Sequence, residues 1–352
     1  MQRPPVVWSP ACREHVPGKE IWLGVSTAGT EVPERVDVIR SAVAAAGHDL
    51  VEAQPHQDSA LLAVHDDALV GHLREVYDAW LSAGFADDPG QDRVVPYVFP
   101  TAAMLGDIEP SRAAAVHGRA GLYCYDTMTV VGPGTWPAAR AAVDCALSAV
   151  ELVTAGSRSA YALCRPPGHH ATASGYGGSC YLNNAAVAAQ ALRTTGHGRV
   201  AVVDVDAHHG NGTSAIFYER DDVFYGSVHV DPAAGWFPHF VGHAGETGTG
   251  AGIGTNLNIP LPPGSGDGAF RAGVARLADA VAAFGADALV ISLGVDAAAD
   301  DPESPLTVTR DGYASTSLLL ADLGLPTVIV QEGGYHLSSL GDLVAEFLAG
   351  WT

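Results

Sequence analysis

Asp204, Asp206 and His208 alternate along one short run, and in an extended chain residues two apart face the same side. Asp206 and His208 can therefore converge on one cation from a rigid strand edge. Asp296, in Gly294-Val295-Asp296, offers a third ligand from another strand. Two carboxylates and a neutral imidazole suit a divalent first-row metal, and three protein ligands leave a position open for water and substrate, the pattern of catalytic zinc. Water activated by such an ion needs a base to take its proton and an acid to protonate a leaving amine. The tandem His169-His170, behind Arg165-Pro166-Pro167-Gly168, supplies that pair. Each ring needs an acceptor at its second nitrogen, and Asp204 and Asn211 are the candidates. A carboxylate partner raises basicity more than an amide does, so the two histidines are expected to differ in protonation. Tyr335 follows Glu332-Gly333-Gly334; the glycines let the backbone come close, and the hydroxyl can donate to an oxyanion. Any one of these residues could merely cap the helix after its strand, but the whole set, borne on successive strand ends, makes a site.

The elements that position this set alternate β-rich runs with amphipathic alanine-rich stretches, the rhythm of a parallel sheet with helices on both faces. Strands are expected near Ala160 to Cys164, Val200 to Val205, Val223 to Val228, Ala288 to Leu293 and Thr327 to Gln331. Helices are expected over Glu34 to Ala46, Pro137 to Ala155, Asn183 to Thr194, Phe270 to Phe284, Arg310 to Asp322 and Ser338 to Leu348. In such a sheet ligands sit beyond the carboxyl ends of the strands, where the chemical groups fall. Residues 81–110 break the rhythm and read as an inserted loop, and Asp231 to Asp267 as a second irregular stretch too long to be a passive connection. With no internal repeat and no break in composition, one domain over residues 1–352 is expected.

The chain has 352 residues, 47% hydrophobic and 16% charged, enough to bury a large core. Its 18 Lys and Arg against 39 Asp and Glu give a formal charge of −21, a field that repels nucleic acid and anionic membrane and attracts cations such as polyamines. Five widely spaced cysteines without a CxxC argue against a disulfide framework or a thiolate zinc cluster. The opening MQRPPVVWSP has no apolar segment of the secretory kind, and no apolar run is long enough to span a bilayer. A cytoplasmic protein is expected.

These residues stand in runs with a family likeness: CRPPGHH at Cys164 to His170, GGSCYLNNAAVAA at Gly177 to Ala189, DVDAHHGNGT at Asp204 to Thr213, SVHVDP at Ser227 to Pro232, GTNLNIPLPPGSGD at Gly254 to Asp267, SLGVD at Ser292 to Asp296 and EGGY at Glu332 to Tyr335. The chain resembles the zinc-dependent deacetylases of the histone deacetylase and acetylpolyamine amidohydrolase superfamily, the bacterial acetylpolyamine amidohydrolases above all. The resemblance implies a single-domain α/β arginase/deacetylase-like fold with long active-site loops. It also implies one zinc per chain on Asp206, His208 and Asp296, with His170 as general base beside His169 and Tyr335 as transition-state donor. Asp204 would partner His169, and Asn211 would partner His170. A structural potassium would sit on Asp204, Ser227 and main-chain carbonyls including that of Val228. Gly178, Phe237 and the Gly333-Gly334 turn would wall a substrate tunnel.

The sequence departs from the family pattern at the tunnel. Ser179 stands where an aromatic is expected, leaving Phe237 as the one obvious plate of the pair and a wider channel. His117 and Met128 stand where amidohydrolases of this kind carry acidic rim residues, while Glu20 keeps an acidic position. The implied substrate is an acetylated small amine such as an acetylpolyamine; acetyl-lysine in proteins and bulkier acylated metabolites are the alternatives. Arginase-like ureohydrolases share the fold, but their second metal would need acids where Gly210 and Ala298 stand. A scaffold that only binds acetylated ligands would not retain the complete set. The insertion resembles the segment that packs across a dimer in bacterial amidohydrolases, so a homodimer is expected.

Overall fold

The computed structural model describes residues 3–87, 91–111 and 115–352; residues 88–90, inside the expected insertion, lie outside the described residues. The strands are β1 Val6–Trp8, β2 Lys19–Trp22, β3 Val25–Ala28, β4 Leu50–Glu52, β5 Ser159–Ala162, β6 Val200–Asp204, β7 Val223–Val230, β8 Asn256–Leu261, β9 Ala288–Leu293 and β10 Thr327–Gln331. The helices are α1 Glu34–Ala45, α2 Asp58–Leu62, α3 Asp67–Ser82, α4 Ala102–Leu105, α5 Val116–Tyr123, α6 Thr135–Thr154, α7 Asn184–Thr194, α8 Asn211–Phe217, α9 Asp267–Phe284, α10 Arg310–Ala321 and α11 Leu337–Ala349.

Among the described residues, eight strands form one parallel sheet in the order β4-β1-β5-β10-β9-β6-β7-β8, and β2 and β3 form a separate hairpin. Strands β5, β6, β7, β9 and β10 are buried along their whole length. That is why they read as unbroken apolar runs: a strand covered on both faces has no polar side to show. Helices α6 and α7 pack on β5, β6, β9 and β10, and α9, α10, α11 and α1 form a second connected layer in which α9 lies on β7 and β8.

Besides the β2–β3 hairpin, three strands of the sheet escape the sequence pattern. β1 and β4 are three residues each, too short for a period, and β8 runs inside the stretch expected to be irregular. β8 carries Pro260, which the sheet tolerates because β8 is its edge. Helix α3 also goes unexpected, although its buried Leu69, Val70, Leu73, Val76 and Trp80 recur at helical spacing.

The expected insertion is not one free loop. Its first residues finish α3, Val94 bridges Val131, and α4 forms within it. Gly121 is what allows the rest to lie down, since a Cβ there would strike the backbone carbonyl of Val98. At the other end of the site Gly212, in the first turn of α8, presses against the backbone of His170 and Ala171. The histidine tandem is thereby seated directly on a helix. Among the described residues no helix is long and apolar enough to cross a membrane.

Candidate active site

Strands β6 and β9 are neighbours, with Asp204 opposite Ser292, so the chain leaving each at its carboxyl end delivers Asp206 and Asp296 to one place. Ligand atoms of Asp206, His208 and Asp296 all lie within 4.8 Å of one another. His208 Nδ1 stands 3.2 Å from Asp206 Oδ1 and 3.0 Å from Asp296 Oδ2. The Gly333 N–H donates to Asp206 Oδ2 at 2.8 Å, and the Ala207 N–H to Asp296 Oδ1 at 2.8 Å. A Cβ on Gly294 or Gly333 would run into these carboxylates, so both glycines keep the space around them clear.

Burial and the charge of Asp206 lift the pKa of Asp296 to about 7. Asp206, against the same burial, is held well below the carboxylate range by His169 and His208. Two carboxylates this close and this dry repel each other unless a cation lies between them, and the oxygen and nitrogen donors fit zinc or a similar divalent ion. His169, Cys180 and Glu332 form a second close group. There, however, Glu332 Oε2 already accepts the N–H groups of Gly168 at 2.6 Å and His169 at 3.1 Å, which makes it a hydrogen-bonded support for the tandem.

The rings of His169 and His170 stand 4.0 Å apart between centroids. His169 Nδ1 donates to Asp204 Oδ2 at 3.0 Å, and His170 Nδ1 to Asn211 Oδ1 at 2.7 Å. Burial alone would strip the proton from His169, but Asp206 and Asp204 outweigh it and raise its pKa to about 10. For His170 burial wins: together with the charges on His169 and His208 it pushes the pKa well below the ordinary histidine value. One imidazolium and one neutral base therefore stand side by side, the difference that a carboxylate and an amide partner lead one to expect.

Above them opens a cavity of about 740 Å³ whose lining includes His170, His208, Phe237, Gly178, Ser179 and Tyr335. The Phe237 ring meets His170 edge-on at 4.8 Å, an approach that requires glycine at 178, where a Cβ would strike both rings. Burial holds the Tyr335 phenol protonated, well above its usual range, against the opposing pull of Arg35, whose guanidinium lies 4.9 Å over the ring. At the mouth, burial followed by Glu303, Glu31 and Asp126 raises the pKa of Glu20 to about 7.

A profile of the histone deacetylase domain matches residues 29–351. The chain belongs to the histone deacetylase family. It is 40% identical over 332 residues to the acetylpolyamine amidohydrolase of Mycoplana ramosa, covering 94% of each chain, and 38% identical over 346 residues to acetylpolyamine amidohydrolase 1 of Pseudomonas aeruginosa, covering 98% of each. The crystal structure of acetylpolyamine aminohydrolase from Burkholderia pseudomallei superposes with a TM-score of 0.93 at 40% identity, over 99% of this chain and 98% of that one.

Against the family pattern, the structure corrects two expectations. His117 is not among the cavity's lining residues: α5 turns it onto the insertion, where its ring lies 4.9 Å from Phe85 and 5.8 Å from Tyr97. Gly334 does not face the cavity either; its missing side chain makes room for Val295 and Leu340, while Gly333 faces the carboxylates. Ser179 and Phe237 both line the cavity, and Trp22, Phe99, Tyr125 and Trp236 add further aromatic wall that the sequence did not show. These come from the β2–β3 hairpin and from loops remote in sequence, which no local spacing could join.

Asp204 and Ser227, the expected potassium ligands with Val228, lie opposite one another on β6 and β7, and the Ser227 hydroxyl meets His229 Nδ1 at 2.7 Å. Asp126 and Glu303 went unread in the sequence. Asp126 accepts the Gly178 N–H at 2.6 Å, and Thr129 Oγ1 accepts the Ser179 N–H at 2.8 Å, so together they set the cavity wall. Deleting Asp296 should empty the metal cradle of this deacetylase-family chain. Zinc-loaded, desalted wild-type protein is expected to hold about one zinc per chain by plasma emission spectroscopy, and Asp296→Ala less than roughly a tenth of that. Full zinc content in the variant would overturn the ligand assignment.

Proposed function

We propose that this chain is a zinc-dependent amidohydrolase that removes acetyl groups from acetylpolyamines and related small amines. The observation that carries the reading is the juxtaposition of the Asp206, His208 and Asp296 cradle with a neutral His170, under a cavity whose lining includes Glu20 and Glu303. Its relatives named for acetylpolyamine hydrolysis, covering nearly the whole chain, support the same substrate class.

A zinc ion bound in the cradle supplies Lewis acidity toward the amide carbonyl and toward water. His170, with its Nδ1 proton committed to Asn211, presents the lone pair of Nε2 and takes a proton from the attacking water. Both rings of the tandem are then charged at close range, and that repulsion drives one proton onto the leaving amine nitrogen. The Tyr335 hydroxyl donates to the oxyanion as the carbonyl becomes tetrahedral. Phe237 and the other aromatic walls pack the apolar stem of the amine and exclude water.

Selection of a cationic amine falls to Glu20 and Glu303. Asp126 is already occupied by the N–H groups of Met128, Thr129 and Gly178 and the Thr129 hydroxyl. Met128 lines the cavity where relatives were expected to carry an acid, and Glu303, reaching in from the β9–α10 connection, supplies the charge instead. Because the Glu20 pKa stands near 7, the carboxylate is charged above that pH and neutral below it, so a polycationic substrate should bind better as pH rises through this range. Acetate release should be faster from acetylputrescine and acetylspermidine than from an acetyl-lysine peptide. Glu303→Gln should raise KM for the acetylpolyamines about fivefold or more while leaving a neutral N-alkylacetamide unchanged, and Glu20→Gln should flatten the pH dependence of that KM. Equal effects on charged and neutral substrates would contradict cation selection by these acids.

Asp204, Ser227 and the neighbouring carbonyls would hold a structural potassium. In that case the melting temperature should fall when potassium is replaced by tetramethylammonium, and no change would remove the ion from the account. Two copies of the chain would associate through the insertion, where Tyr97, Met104 and Ile108 are 73%, 65% and 74% exposed, an apolar surface costly to leave in water. Light scattering should give the mass of a dimer; a monomer at micromolar concentration would contradict this. Five buried, free cysteines suit work in the reducing cytoplasm.

A further inference from the structure

Asp301 takes no part in the chemistry described above, yet it is a nearly buried carboxylate, 8% exposed, in the connection between β9 and α10. Its Oδ2 accepts the N–H of Tyr335 at 2.7 Å and that of His336 at 3.1 Å. Its Oδ1 accepts the Glu303 N–H at 3.0 Å, and its own N–H donates to the Ala298 carbonyl at 3.1 Å. These two bonds fix the carboxylate to the loop that carries Asp296.

The peptide unit between Gly334 and Tyr335 is thereby held at both ends. Its carbonyl accepts from Arg35 Nε at 2.6 Å, and its N–H is the one that Asp301 takes. A peptide is a rigid plane, so holding both ends sets the direction in which the Tyr335 side chain leaves the backbone. The clamp matters because Gly334 sits at φ +118, in a residue whose backbone has no Cβ to restrict its rotation.

We propose that Asp301 is a positioning residue: through the Tyr335 N–H it fixes the Gly334–Tyr335 peptide plane and so aims the phenol at the site of the developing oxyanion. This inference rests on the assignment of Tyr335 as oxyanion donor. Misplacing a catalytic group by about 1 Å costs on the order of a hundredfold in rate. A residue that acts only by aiming Tyr335 has nothing left to aim once the hydroxyl is removed.

The test uses the zinc-loaded enzyme with an acetylated diamine, Asp301→Ala and Asp301→Asn each being made in the wild-type and Tyr335→Phe backgrounds. Tyr335→Phe should itself lower kcat by about two to three powers of ten. Asp301→Ala should lower kcat roughly tenfold to a hundredfold, and Asp301→Asn, whose one acceptor oxygen can still take the Tyr335 and His336 N–H groups while the bond from the Glu303 N–H is lost, should recover part of that loss and serves if the alanine variant fails to fold. In the Tyr335→Phe background either change should cost less than about threefold. Hydrogen exchange read by mass spectrometry should show the Tyr335 and His336 amides exchanging faster in Asp301→Ala, whether or not the enzyme turns over. Unchanged kcat, an equal loss in both backgrounds, or unchanged amide exchange would overturn the proposal. A wild-type enzyme that released no acetate would instead refute the proposed function, and the amide exchange would still decide whether the clamp exists.

Discussion

The repulsion between Asp206 and Asp296, two buried carboxylates on loops that leave adjacent strands, is the constraint around which the rest of the structure is arranged. Left alone it would cost several kcal/mol or force one group to hold a proton. The fold does not relieve it by distance, since the strand pairing of β6 with β9 brings the two together. It relieves it partly with the imidazoles of His169 and His208 and with amide dipoles from Gly333 and Ala207. The remainder is a site that a divalent cation would stabilise. The cost of assembling it is borne by the sheet, whose central strands are completely buried.

A common device then connects the active-site loops. Carboxylates, buried at Glu332 and Asp206 and half-buried at Asp126, accept main-chain N–H groups from loops remote in sequence: Glu332 takes those of Gly168 and His169, Asp206 takes that of Gly333, and Asp126 takes that of Gly178. At Glu332 and Asp206 these bonds lie in a dry setting, where a hydrogen bond is electrostatically stronger than in water. Loops long enough to carry function are thus held to fixed positions without being part of the sheet. Close approach also explains why Gly178, Gly212, Gly294 and Gly333 cluster here: a Cβ would strike the His170 and Phe237 rings at the first, backbone at the second and the metal-site carboxylates at the last two.

Much of this was legible in the sequence. β5, β6, β7, β9 and β10 could be read because central strands are apolar on both sides, and the site because its groups follow those strands directly. Asp204 with His169 and Asn211 with His170 could be paired only through the family resemblance, and the structure places them within hydrogen-bonding distance. The cavity wall was the illegible part. Trp22, Phe99, Tyr125, Trp236 and Glu303 come from five separate segments, and no period or motif connects them. His117 failed for the opposite reason: the family pattern placed it at the rim, but the direction of a helix face decides where a side chain points, and α5 turns it away.

Diffraction recorded on either side of the zinc absorption edge, from crystals of the zinc-loaded protein, would locate the ion that the two carboxylates call for. One anomalous peak per chain is expected, lying among Asp206, His208 and Asp296. A peak in the His169, Cys180 and Glu332 group instead, or no peak in the cradle, would contradict it.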